Sequence, residues 1–217
     1  NIDSILENDG VFISESHYLV GMLETLQFDT IYHEHLRYYS GNFLSKLFTD
    51  FGYEIIRIKK IPTHGGSIRV WAARSGKYKV EEAVTSFLNN EKSSKNFGLA
   101  AHVEFAKKVS AWRHDFRRII AEIRKDEHSI YAIGAPSRAS TLIAYAGLEN
   151  SDLFGVGEIT GSHKIGRYMP GTRIPIISED EVLIKKPDYL LMLSWHIADE
   201  LIPKLKDKGY QGKFVIP

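Results

Sequence analysis

The chain contains no cysteine, which rules out disulfides and thiolate metal sites and leaves the redox state of its compartment unmarked. No apolar run approaches the roughly 20 residues needed to span a bilayer. The first residues carry Asp3, Glu7 and Asp9 without a basic cluster, so no secretory signal is read there. Charge of one sign is lacking too. Lys and Arg number 28 against 27 Asp and Glu, a net charge of +1, so no overall field argues for nucleic acid or an anionic membrane as partner. Cytoplasm is the expected location. What is present is ordinary for a globular protein: 43% hydrophobic and 25% charged residues in 217, enough for one good core or two small ones. The chain starts at Asn1 rather than Met and stops at Pro217 just after a strand-like KFVI, and both ends read as cut.

The densest chemistry lies in Phe28 to Tyr39, FDTIYHEHLRYY, which gathers Asp29, Tyr32, His33, Glu34, His35, Tyr38 and Tyr39. In an extended segment His33 and His35 point to one side and Glu34 to the other. In a helix, Tyr32 and His35 share a face, with Tyr39 one turn further. Either arrangement brings an imidazole, a carboxylate and phenol donors into one small volume, the setting that a general base needs. Two other readings stay open on spacing alone. His-x-His is a metal-ligand spacing, although a site needs three or four ligands and the other histidines are scattered. A turn with solvated histidines and packed tyrosines also fits.

Taken in order, the first third reads as a helix end at Ile2 to Asn8, a strand at Val11 to Ser14 with Glu15 at its carboxyl end, and a helix over His17 to Leu26. Ser40 caps a helix whose apolar face is Phe43, Leu44, Leu47, Phe48 and Phe51, ended by Gly52. Strands at Tyr53 to Ile61 and Ser67 to Arg74 flank a turn at Pro62 to Gly66 and pair antiparallel. A helix over Val80 to Asn90 is broken by SSKN, and a long one follows from about Phe97 to Arg124. Its stripe is Phe105, Val109, Trp112, Phe116, Ile119 and Ile123.

From His128 the pattern changes to alternating strands and helices with apolar strands, which indicates a doubly wound parallel sheet. Strands are expected at Ser129 to Ile133, Leu153 to Ile159, Ile174 to Ile177, Asp188 to Leu193 and Lys213 to Ile216. Ser178, with Glu181, makes a capping box. The turn GAPSRAST, Gly134 to Thr141, leads from a strand into a helix. Its N–H groups, with Ser137, Arg138, Ser140 and Thr141, make a phosphate cradle the functional expectation, and Glu158 stands where a dinucleotide-binding domain keeps its ribose acid. A Rossmann-like shell without ligand is the bland counterpart.

These motifs together resemble a known family. FDTIYHEHLRYYS resembles the signature of S-adenosylmethionine-dependent C-methyltransferases acting on nucleotide-linked sugars. PTHGGSIRV (Pro62 to Val70) is similar to that family's PTHGGSLRV turn, GAPSRASTL to its GAPAKG-type loop, GRYMPGTRIPI (Gly166 to Ile176) to its Y-x-PGT-x-IPI stretch, and PDYLLMLSW (Pro187 to Trp195) to its PDYVLLLAW strand. Five motifs in register cover nearly the whole chain. Arg138-Ala139 depart from the usual Lys-Gly, Ser16-His17-Tyr18 from a proline before the aromatic, and Glu158 from an Asp.

The resemblance implies a fold and a mechanism. The fold is α/β: the remnant of a class I methyltransferase sheet over 1–76, linking helices over 77–127, and a Rossmann-like doubly wound sheet over 128–217. No strand with a glycine-rich turn and ribose acid precedes Asn1, so the S-adenosylmethionine site is expected mostly outside this chain and the fragment is expected to be inactive alone. The implied catalytic residues are His35 as base, Glu34 holding it, and Tyr32 donating a hydrogen bond to the enolate oxygen. The implied contacts to a nucleotide-diphosphate sugar are Tyr18, His33, His64, Gly65, Gly66, Arg69, Ser137, Arg138, Ser140, Thr141 and Glu158, with no metal. A non-catalytic nucleotide-binding module is the alternative, and it has no use for a base beside a phenol. The sugar, the methylated carbon and the oligomeric state are left open.

Overall fold

The computed structural model of the protein describes residues 2–62 and 65–217. They divide into two compact units, Asn1–Phe28 with His35–Lys108 and Asp29–Glu34 with Val109–Pro217. No helix among the described residues is long and apolar enough to cross a membrane.

The first unit is built on a three-stranded sheet of β1 (Val11–His17), β2 (Tyr53–Ile61) and β3 (Ser67–Arg74). The order is β1-β3-β2, and β3 runs antiparallel to both neighbours. β1 is longer than the expected VFIS strand. Glu15 therefore sits inside the ladder opposite Arg69, which binds it through two hydrogen bonds of 2.9 and 2.7 Å, and it is not at a strand end. A bulge between Ile55 and Arg57 shifts the register of β2. That shift explains how Tyr53, Ile55 and Ile58 are all buried although 55 and 58 are an odd number of residues apart.

Helices α1 (Leu19–Glu24), α2 (Gly41–Asp50) and α3 (Glu82–Ser93), with the start of α4 (Leu99–Lys125), complete this unit. Ser40 caps α2 as expected, its hydroxyl accepting the Phe43 N–H at 3.0 Å. The buried face of α2 is narrower than expected. Leu44 is buried and Leu47 and Phe48 pack on the core, whereas Phe43 and Phe51 are 52% and 73% exposed. Phe51 already stands past the last helical turn, and Phe43 stacks on Tyr39 at 5.7 Å instead. The core here is Tyr18, Val20, Leu44, Ile55, Ile58, Ile68, Val70 and Val84.

The second unit carries a five-stranded, wholly parallel sheet of β4 (Ile130–Ile133), β5 (Val156–Glu158), β6 (Ile176–Ser178), β7 (Tyr189–Met192) and β8 (Lys213–Val215), in the order β6-β5-β4-β7-β8. Successive residues serve opposite faces. Ile130 and Ala132 join Leu142 and Ile143 of α5 (Ser137–Ala146) and Phe116, Ile120 and Ile123 of α4. Ile133, Leu190 and Met192 join Val182 of α6 (Glu179–Ile184) and Leu205 of α7 (Ala198–Asp207). Helices on both faces are what strands this apolar require, and the fold is Rossmann-like. The α4 stripe needs one correction. Ile120 is buried and Ile119 is 38% exposed; at about 100° per residue both lie within about 60° of positions 116 and 123, so helical spacing does not choose between them and packing against the core of the second unit does. The Ser178 and Glu181 capping box of α6 forms as expected.

Candidate active site

In the first unit the end of β1 and the segment after His35 converge. Tyr18 and Tyr39 form a short parallel bridge, with the Leu19 N–H donating to the Tyr39 carbonyl at 3.0 Å. This brings His17, His35 and Tyr38 together. The His17 and His35 ring centroids lie 5.4 Å apart, and Tyr38 meets them edge-on at 5.8 and 6.2 Å. His35 is half-buried, so its imidazole is packed in place yet reachable.

The glycine turn lies close in the chain path. The Tyr18 N–H donates to the Gly66 carbonyl at 3.2 Å, and the buried Gln27 amide donates to the Gly65 carbonyl. Gly65 has φ +85, and a Cβ there would come within 2.3 Å of the Gln27 side-chain oxygen, so both backbone and packing demand glycine. His64 lies outside the described residues. Arg69 is engaged by Glu15. Tyr18 is 3% exposed, with its ring under the Lys60 ammonium at 5.2 Å. Burial, then the Glu91 carboxylate that accepts its hydrogen bond, pushes the Tyr18 hydroxyl well above the usual phenol range.

In the second unit, the sheet order reverses between β4 and β7, and α/β sheets bind ligands at the carboxyl ends of strands flanking such a reversal. Gly134 to Pro136 follow β4 there, and Ser194 and Trp195 follow β7. The residues standing at that point are Asp29 and Arg138. Asp29, 1% exposed, accepts the Arg138 Nε and Nη2 hydrogens at 2.8 and 2.7 Å and the Trp195 indole N–H at 2.8 Å. The Arg138 guanidinium carbon also lies 4.9 Å from the Trp195 ring centre. One helical turn on, the Thr141 hydroxyl donates to the Ile31 carbonyl at 3.1 Å.

Those contacts hold the short segment that carries Tyr32, His33 and Glu34. Glu34 accepts a hydrogen bond from the Tyr32 phenol and lies 3.9 Å from His33 Nε2. Burial and then this carboxylate push the Tyr32 hydroxyl above the usual phenol range, so it stays protonated as a donor. Of the expected cradle, Ser137 is exposed and Ser140 half-buried at the start of α5. Glu158 accepts the Ala135 N–H at 2.8 Å, and Lys164 donates to the Ala135 carbonyl at 2.7 Å while lying 4.0 Å from Glu158. One N–H of the turn is thus already taken by a carboxylate.

His17, and the use of Asp29 and Trp195, were not legible beforehand. His17 becomes a neighbour of His35 only through strand pairing, and Asp29 meets Arg138 across 109 residues. The one available signal was an acid set in an otherwise apolar FDTI. Among the described residues, no three metal-ligating side chains are arranged to hold an ion.

Comparison with known proteins bears on these residues. A C-methyltransferase, NovU, from Streptomyces niveus is 34% identical over 218 aligned residues, which take in all of this chain and 52% of that protein. The chain thus spans about half the length of that curated relative. Residues 62–217 match the family model described as the C-methyltransferase C-terminal domain, so most of the chain, from the glycine turn through the whole Rossmann-like sheet, is accounted for by one family. The chain belongs to the C-methyltransferase C-terminal domain family.

Proposed function

We propose that the protein carrying this chain is a C-methyltransferase that acts on a nucleotide-linked keto-sugar, and that this chain supplies the base and the enolate-stabilising donor. The observation that carries the reading is the Tyr32 and Glu34 pair. It presents a phenol kept protonated three residues before His35 in the sequence, and His35 is itself packed beside His17 and Tyr38. His35 takes the proton from the carbon next to the ketone. The C–H electron pair becomes the enolate, and charge collects on the former carbonyl oxygen. When substrate is bound, the single Tyr32 phenol hydrogen turns from the Glu34 carboxylate to that oxygen, and Glu34 orients the phenol for the exchange. An imidazole is too weak a base to remove such a proton unless the enolate is stabilised, so donor and base are needed together.

The remaining contacts to the sugar nucleotide are proposed at Gly65, Gly66 and His64, and at Ser137 and Ser140 of the first turn of α5. The methyl group comes from S-adenosylmethionine in the family that the sequence resembles. The described residues of the first unit include no strand running into a glycine-rich turn and a helix N-terminus, so they do not by themselves form a site for that cofactor.

The test uses the full-length protein and the keto-sugar nucleotide in deuterated water without methyl donor. Wild type is expected to exchange the proton next to the ketone, and His35→Gln to lose that exchange. Equal exchange by the two proteins would remove His35 as the base. Glu34→Gln is expected to lower turnover far more than substrate binding.

A further inference from the structure

The Rossmann-like unit keeps an anion at the reversal point of its sheet, and that anion is the protein's own. The Asp29 carboxylate has three donors there, two from the Arg138 fork and one from the Trp195 indole, and both partners of the ion pair are buried, at 8% and 1% side-chain exposure. Arg138 was expected to face a substrate phosphate. A guanidinium whose Nε and Nη2 are spent on a buried carboxylate, and whose face is covered by an indole, is poorly disposed to do so.

The place of Asp29 in the chain gives the ion pair a purpose. The segment Asp29–Glu34 belongs to the second unit, while Phe28 before it and His35 after it belong to the first. Its inner end is fixed: Asp29 and Thr30 are 1% and 2% exposed, and the Ile31 carbonyl accepts from Thr141. Its outer end, Tyr32 to Glu34, carries the proposed donor and the carboxylate paired with it. A rigid, bidentate anchor only three residues from a catalytic phenol sets where that phenol can stand, whereas a water-exposed loop would leave it to wander.

We propose that Arg138, through Asp29 and with Trp195, is a positioning residue that fixes Tyr32 and Glu34 for catalysis, and that it is not a phosphate ligand. The inference rests on the catalytic reading above.

The test compares the full-length wild type with Arg138→Lys, which keeps the charge but cannot form the two-pronged contact, and with Asp29→Asn. Turnover is expected to fall about tenfold or more, while KM for the sugar nucleotide stays within about twofold. Amide hydrogen exchange over residues 30–34 is expected to rise in both variants, with the strands of the parallel sheet unchanged. The double variant is expected to be little worse than either single one, because both act through one contact. If either variant fails to fold, Thr141→Val removes only the contact to Ile31 and is expected to move exchange and turnover in the same direction by less. A rise in KM with turnover intact would instead make Arg138 a substrate contact and overturn the proposal, as would unchanged exchange over 30–34. The catalytic reading fails separately, through a fully active His35→Gln, and the exchange measurement still reports on the anchor in that case.

Discussion

The carboxylate of Glu91, on α3, closes the N-terminus of α2 by accepting the Asn42 backbone N–H at 2.8 Å and its side-chain amide at 2.6 Å. The same side chain accepts the Gly41 N–H at 2.8 Å and the Tyr18 phenol. A carboxylate that is 3% exposed is tolerated because every side of it meets a donor and because the positive end of a helix dipole faces it.

Glu91→Ala is therefore expected to destabilise the first unit by about 3 kcal/mol, since it leaves buried N–H groups without an acceptor. Glu91→Gln, which retains one acceptor oxygen, is expected to lose less. Denaturant midpoints measure both, and equal stability of Glu91→Ala and wild type would contradict the capping role.

The α4 stripe supplies a paired comparison. Ile120 is 1% exposed in the core beside Phe116, and Ile119 is 38% exposed. Ile120→Ala is expected to cost about 3 kcal/mol, and Ile119→Ala about 1 kcal/mol or less. Thermal or denaturant unfolding that ranks them the other way would reverse the assigned helix face.

Gly134 stands at φ +86, where a Cβ would come 2.3 Å from the Ser194 hydroxyl. Gly134→Ala is expected to destabilise by about 2 kcal/mol from backbone strain and the clash together. Adding Ser194→Ala is expected to relieve the clash and leave the strain, so the double variant falls between wild type and the single one. A double variant as unstable as Gly134→Ala would show that the backbone alone decides.

Buried phenols are expected to set the alkaline limit of stability. Tyr18, Tyr32 and Tyr210 all have their pKa raised, chiefly by burial and then by Glu91, Glu34 and Asp188 respectively. The folded protein holds these protons more tightly than the unfolded chain, so above the ordinary phenol value of about 10 unfolding releases protons. Stability is fully present below that pH and falls as pH rises above it. Melts across the alkaline range, with phenolate absorbance of Tyr32→Phe against wild type, check the sign. Phenolate appearing from Tyr32 below the ordinary value would contradict it.

The sequence by itself determined the elements. Ser40 and the Ser178 and Glu181 pair announced helix starts, and alternation announced β2 and β3. The apolar runs at 130–133 and 189–192 announced strands covered on both sides. These are local signals, written in the spacing of neighbouring residues. It also marked out the stretch from Phe28 to Tyr39, because chemistry-bearing residue types are dense there, and the family resemblance singled out His35, Glu34 and Tyr32 within it as the expected catalytic residues. Only the tertiary structure decided what those residues face. The bulge in β2, the choice of Ile120 over Ile119, the His17 ring beside His35, and the capture of Asp29 by Arg138 and Trp195 depend on strand pairing and helix packing across tens to more than a hundred residues. That the Arg138 guanidinium is bonded to a buried carboxylate from a segment 109 residues away is a meeting that no local spacing encodes.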